Sequence, residues 1–244
     1  MNSIGRVFME KTKYQYLEES DQDLGLPQPP LELSCPEGAE VVSLPKIEQI
    51  KTQSLDLTEA INRRETCRKY RREALTIDEL AYLLWCTQGV KRVTSRPVTL
   101  RTVPSAGARH AFETFLLINN VEGLQPGLYK YVALEHKLRV VNLKAGLAES
   151  IVQITGNQKF IADSAVTFIW TASIYRMKWR YGERSYRYIH LDAGHVGQNL
   201  YLAAQTVGSG VCAIAAFDDD ALNDLLGLDG DEQFAVYLAT VGKV

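Results

Sequence analysis

The sequence predicts an α+β sandwich, and three observations carry that prediction. Residues 112–142 hold short β-rich runs separated by turn signals. Apolar, strand-like runs at 165–171, 211–217 and 234–241 alternate with helical patterns. One long helical stripe, rich in small residues, covers 185–207.

The elements follow in order. Residues 6–20 mix charge with Phe8, Tyr14, Tyr16 and Leu17, and read as a short docking helix. Pro27, Pro29, Pro30, Pro36 and Pro45 then punctuate an extended segment, because proline fixes φ and removes a donor. Leu26, Leu31, Leu33, Val41, Val42 and Leu44 need cover there, so residues 1–56 read as an arm wrapping its own domain or a second subunit. The main domain is expected over 57–244.

A helix is expected over 56–65. Thr76 and Glu79 form a capping box ahead of Ile77, Leu80, Ala81, Leu83, Leu84 and Trp85, and Gly89 is placed to end that helix. Residues 90–103 read as a polar, basic loop. The turn at 124–127 joins strands expected at 115–118, 128–132 and 138–141. A helix is expected over 144–155. Ile189, Ala193, Val196, Leu200, Ala203, Ala204 and Val207 mark one face of the long helix, which Gly208 ends. Asp218 or Asp219 can cap a helix reaching Leu226.

Composition excludes several classes. The chain is 46% hydrophobic with a formal net charge of −2, so a packed core is expected and broad nucleic-acid binding is not. The four cysteines, Cys35, Cys67, Cys86 and Cys212, have no Cys-x-x-Cys spacing. They suit a reduced, cytoplasmic protein without a zinc site. No apolar run reaches signal-peptide or membrane-span length. His190 and His195, five apart on one helix, miss metal-ligand spacing, and His110 and His136 stand alone, so no metal site is expected.

Within 63–70 the sequence places Arg64, Thr66 and Arg68 at alternate positions. In an extended segment these share one face, so two guanidinium forks and a hydroxyl can hold a phosphate and a chain of alcohols. A solvated basic loop is the plainer reading. At 104–110, Pro104, Ser105, Ala106, Gly107, Ala108, Arg109 and His110 let backbone lie close to a flat ligand, or simply form a loop. The run through Ala215 and Ala216 to Asp218 offers backbone N–H groups at a strand end, or core packing. Lys178, Trp179, Arg180, Tyr181, Arg184, Tyr186, Arg187 and Tyr188 can donate protons and hold an anion, or form a dimer rim. Ala193, Gly194, Gly197, Ala203 and Ala204 mark a dimer seam or a buried central helix. Walker, G-x-G-x-x-G and nucleophile-elbow motifs are absent.

Four motifs in order resemble the flavin-dependent nitroreductase family, and within it the SagB-type branch related to thiazole/oxazole peptide dehydrogenases. They are Arg64-x-Thr66-x-Arg68-x-Tyr70, then 104–110, then Gly194-His195-x-Gly197-Gln198-Asn199-Leu200, then 214–219. The resemblance covers about residues 57–243. It implies a three-layer sandwich with a central, mostly antiparallel sheet, and an intertwined homodimer with FMN at the interface. By similarity, Arg64 and Thr66 would hold the phosphate and ribityl tail, and Arg68 would lie nearer the pyrimidine edge. The loop of Pro104, Ser105, Ala106, Gly107 and Ala108 would come from the partner subunit. Backbone N–H groups near Ala215 and Ala216 would face the ring, and Lys243 is a candidate second phosphate ligand. Ala216 stands where glycine is common. Arg180-Tyr181 stands where azoline-oxidising enzymes carry Lys-Tyr, and arginine is a poor base. The implied activity is ping-pong transfer of hydride or electrons from NADPH or NADH to a small organic acceptor. Tyr181 is the candidate proton donor, and Arg180 or Arg184 the substrate anchor. Oxidation of a peptide-derived azoline and a flavin-binding role without turnover are the alternatives.

Overall fold

The computed structural model describes residues 3–244. Seven antiparallel strands form the central sheet in the order β1-β6-β5-β4-β7-β9-β8. These are β1 (Val41–Ser43), β4 (Phe112–Ile118), β5 (Gly127–Val132), β6 (Lys137–Asn142), β7 (Val166–Ser173), β8 (Ser209–Ile214) and β9 (Gln233–Lys243). Alternating side chains build a core on each face, as the strand period requires. On one face Leu116, Phe168, Trp170 and Val241 pack with α3 (Ile77–Gln88) and α7 (Ser185–Gln205). On the other, Phe115, Leu117, Ile169 and Leu238 pack with α4 (Leu147–Ile154), α5 (Phe160–Asp163) and α8 (Asp219–Leu226). This is the expected three-layer sandwich.

Local chemistry sets the helix ends that position the site. In α3, Thr76 accepts from the Glu79 N–H and the Glu79 carboxylate accepts from the Thr76 N–H, the reciprocal pair expected from the sequence. Asp218 caps α8 by accepting from the Ala221 N–H. Asp56 caps α2 (Leu57–Arg63) by accepting from Thr58 and Glu59.

Two elements differ from expectation. Residues 90–103 are not a plain loop: β2 (Val90–Val93) and β3 (Thr99–Arg101) form a hairpin with an irregular register between Val90 and Arg92. That bulge breaks the two-residue alternation that would mark the strands. Between β7 and α7 lies α6 (Tyr175–Tyr181), which has no side-chain N-cap. Its buried Arg176, Met177 and Trp179 belong to no clean apolar stripe.

Residues 3–56 are held along the surface by the start of the α6–α7 region. α1 (Ile4–Lys11) buries none of its residues. The Arg184 Nη1 donates to the Thr12 carbonyl at 2.7 Å, and the Trp179 indole donates to the Leu26 carbonyl at 2.9 Å. Arg176 Nε donates to the Pro30 carbonyl at 3.0 Å, while Glu113 accepts from the Leu33 N–H at 3.0 Å. Further on, this segment supplies the edge strand β1.

Of the small residues on α7, Gly197 faces the sheet. A β-carbon there would lie 2.9 Å from the Tyr237 ring, whereas one at Gly194 would meet nothing. Gly197→Ala is therefore expected to destabilise the fold by about 1–3 kcal/mol through overpacking. Thermal unfolding checks this; a Gly197→Ala melting temperature at or above the parent's would show that helix and sheet are not packed as described.

Candidate functional site

The segment after α2 is extended, as the alternating pattern requires. Thr66 bridges Val211 in parallel, and the Cys67 N–H donates to the Val211 carbonyl at 2.8 Å. Residues 64–68 thus run along the outer edge of β8. Cys67 packs inward over Gly210. Tyr201 of α7 fixes the other face. Its hydroxyl lies 3.2 Å from Thr66 Oγ1 and accepts from the Ala213 N–H at 3.0 Å. The Arg64 guanidinium lies 5.5 Å from the Tyr201 ring centroid. Thr66 and Arg68 are exposed and Arg64 half-buried, and none of these two guanidiniums and one hydroxyl is tied to a carboxylate among the described residues. Ala215 and Ala216 are exposed and follow Ile214, the last paired residue of β8. The Lys243 ammonium is held by Glu79 and by the Val207 carbonyl. The Arg71 N–H donates to the Lys243 carbonyl, so that residue also anchors the basic segment.

The 104–108 loop sits elsewhere on α7. The Asp192 carboxylate accepts from the Ala106 N–H at 3.2 Å, and Ser105 Oγ accepts from the His110 N–H at 2.9 Å. Burial raises the Asp192 carboxyl above the usual range, against the hydrogen bonds from Ser105 and Ala106. Gly107 turns with φ 55°, and a β-carbon there would overlap the Tyr181 hydroxyl and come within 3.1 Å of Arg180. Only glycine suits that contact. Pro104 and Gly107 are exposed; Ser105, Ala106 and Ala108 are half-buried.

The chain therefore brings Arg180 and Tyr181 onto the loop, and Arg64, Thr66 and Arg68 onto β8. It does not bring the two groups together. Asp192 and Tyr201 are nine residues apart on one helix, about 13.5 Å along its axis.

A cavity of about 550 Å³ opens beside Arg180, Tyr181 and Tyr188, with Tyr14, Leu17 and Glu18 of the N-terminal segment on its outer wall. Tyr181 and Tyr188 meet edge-on at 4.8 Å. Arg184 is used differently from its neighbours, donating to the Tyr188 hydroxyl at 2.9 Å and to Thr12. It steadies Tyr188, which lines the cavity, and fastens the N-terminal segment.

A buried charge cluster supports the loop from below. Glu113 accepts from Arg176 at 2.6 Å and from Lys130 at 2.9 Å. Burial alone would raise the Glu113 carboxyl, and Arg176 and Lys130 override it and hold it low. His110, adjoining, is driven down to about 3 by burial and then by Arg101, Arg109 and Arg176. Asp192, Tyr201, Glu113 and Arg176 are the site's supporting residues that sequence reasoning missed. Only the acid of Asp192 within an apolar helical stripe is a visible signal.

The donor set suits FMN. Two guanidiniums and a hydroxyl with no carboxylate partner among the described residues suit a phosphate and polyol.

His110 makes a pH prediction. Its folded pKa is about 3 against an ordinary 6.5, so stability is full above 6.5 and is lost as pH falls toward 3. Between pH 6.5 and pH 5 the loss attributable to His110 is about 2 kcal/mol, at ~1.4 kcal/mol per unit. His110→Asn, which tolerates the local positive φ, is expected to remove that share. Urea unfolding at pH 7 and pH 5 checks it; equal acid losses in both proteins would contradict the assignment.

Comparison with known proteins places the fold in a family. The profile of the Nitroreductase family matches residues 61–243. A Methanocaldococcus jannaschii protein named as a nitroreductase is 32% identical over 203 residues, 83% of this chain and 96% of its own length. A solved structure from Anabaena variabilis, likewise named, aligns with a TM-score of 0.69 at 29% identity. That alignment covers 85% of this chain and 42% of the other. The trifolitoxin-processing protein TfxB of Rhizobium leguminosarum bv. trifolii is 28% identical over 137 residues, 53% of this chain and 36% of its own. Since the match spans three-quarters of the sequence, this chain belongs to the nitroreductase family.

Proposed function

We propose that this FMN-dependent oxidoreductase passes electrons from a nicotinamide to a small organic acceptor, in a ping-pong cycle, as a homodimer. One observation carries the reading: Arg64, Thr66 and Arg68 line the β8 edge, Arg64 and Thr66 against Tyr201, and none has a carboxylate partner among the described residues. In this reading Arg64 and Thr66 hold the phosphate and ribityl tail, and Arg68 lies by the pyrimidine edge. Lys243 is a second phosphate ligand if it leaves Glu79. When bound, FMN supplies the two-electron redox chemistry. The chain's own residues bind and orient. Tyr181, its hydroxyl against Gly107, offers a proton at the inner side of the cavity, and Arg180 anchors the substrate. The N-terminal wall limits water there.

The separation of the two halves along α7 supports a dimer. Each site is then completed by the partner's loop of Pro104, Ser105, Ala106, Gly107 and Ala108. The outer face of α7 suits this use. Leu191 is 61% exposed, and Gly194, His195 and Gln198 continue its stripe. Exposed Leu57 and Ile61 of α2 extend the apolar surface. The four free thiols suit a reducing compartment such as the cytoplasm. Among the described residues, no helix is long and apolar enough to cross a membrane.

A second reading, oxidation of a peptide-derived azoline, draws on the similarity to TfxB. Arg180 speaks against it, since a guanidinium does not act as a base at usable pH.

The first test is an absorbance spectrum of the purified protein, then anaerobic NADPH followed by NADH. A yellow cofactor that bleaches supports the nicotinamide-driven reading. A flavin that neither nucleotide bleaches moves the assignment to the azoline-type reading. Arg64→Ala with Arg68→Ala is expected to lose the flavin while gel filtration still reports a dimer. Stoichiometric flavin in that double variant would overturn the phosphate-site assignment.

A further inference from the structure

Arg109 is 3% exposed, yet no ion pair among the described residues engages it, and its Nε is buried without a hydrogen-bond partner. Its buried neighbours are satisfied. Arg176 donates to Pro30, His110 and Glu113. Arg101 donates to Thr99 and Gln88. Among the described residues, the Arg109 guanidinium has the Trp179 ring 5.2 Å away and no carboxylate. The other nearby cations, Arg180, Arg96 and Arg176, share its sign. A guanidinium cannot shed its proton at usable pH, and a buried charge without a counter-charge is costly. The missing counter-charge is an anion from outside the chain.

The place of Arg109 says where that anion enters. Its N–H closes the 106–108 turn onto the Ala106 carbonyl at 3.1 Å. The tip of that turn, Gly107, touches Arg180 and Tyr181. Arg180 in turn lines the 550 Å³ cavity. We propose that Arg180 on the wall of this cavity and Arg109, buried behind that wall, form an anion subsite, and that it takes the carboxylate of a small organic substrate entering through the cavity. With the Trp179 ring 5.2 Å from its guanidinium, Arg109 can meet a planar carboxylate through two parallel hydrogen bonds. On the outer wall Glu18, Glu19 and Asp23 are exposed to water. They turn the carboxylate inward and the rest of the molecule toward the mouth. The inference rests on the reading of this cavity as the substrate site.

The test uses the full chain loaded with FMN, titrated with sodium benzoate while tryptophan fluorescence is followed. Trp179, against Arg109, is the internal reporter. Benzoate is expected to give a saturable response that the uncharged benzamide does not. Arg109→Gln is expected to weaken it about 10- to 100-fold, the loss for one charge-assisted contact. Arg109→Lys is expected to recover part of it. If Arg109→Gln does not fold, Arg180→Gln carries the same expectation. The proposal is overturned by benzoate binding unchanged in these variants, by no saturable response, or by a response to inorganic phosphate in place of benzoate. It is also overturned if Arg109→Gln dissociates the dimer and leaves benzoate affinity intact, because the counter-charge would then be the partner's. Flavin absorbance in the same samples keeps the two questions apart. Benzoate binding through Arg109 without any flavin would sink the redox reading and leave the anion subsite standing.

Discussion

Tyr201 and Asp192 project from one continuous helix, and each holds a different half of the candidate site. Tyr201 fixes the extended segment that carries Arg64 and Thr66. Asp192 fixes the loop that carries Gly107. The helix between them is stiff because every turn is hydrogen-bonded and its inner face is packed on β9 through Gly197. The spacing of the two halves is therefore a property of α7 and not of the loops. Closing the halves on one ligand requires either a long ligand or a second α7, and the exposed stripe around Leu191 supplies a surface for the second.

The polar interior follows from the same arrangement. The small residues of the 104–108 loop offer no bulky apolar side chains to anchor it. It is held instead by hydrogen bonds to Asp192 and by the charges beneath it. Glu113 is the one buried acid that balances Arg176 and Lys130, and truncating it would leave two buried cations unpaired. That cluster also fixes Leu33 and Pro30, which ties the N-terminal segment to the floor of the loop.

Much of this was legible in the sequence where the signal was local. The capping box at Thr76 and Glu79, the long small-residue helix and the strands at 115–118 and 234–241 all rest on spacing within a few residues, and all are present. The hairpin at 90–101 was not legible, because its bulge breaks the alternation and its outer residues are basic. Nor was α6, whose buried face includes an arginine that reads as solvent-facing until Glu113, 63 residues earlier in sequence, is placed beside it. The extended run that carries Arg64, Thr66 and Arg68 could be read from alternation alone. Their support from Tyr201, 135 residues from Thr66, could not. Arg184 lay within a recognisable cluster, but only the fold shows that its guanidinium holds Thr12.

The sheet ends in two unlike margins. At one, β1 is three residues long and comes from the proline-rich segment, a short and poor template for further pairing. At the other, β8 would present a row of open backbone groups, and residues 66–67 cover it by pairing with Val211. The stretch that carries Arg64, Thr66 and Arg68 is thus also the shield against association between sheets. Anything that lifts it uncovers an apolar edge strand, so the chain's solubility is bound to how firmly that stretch is held.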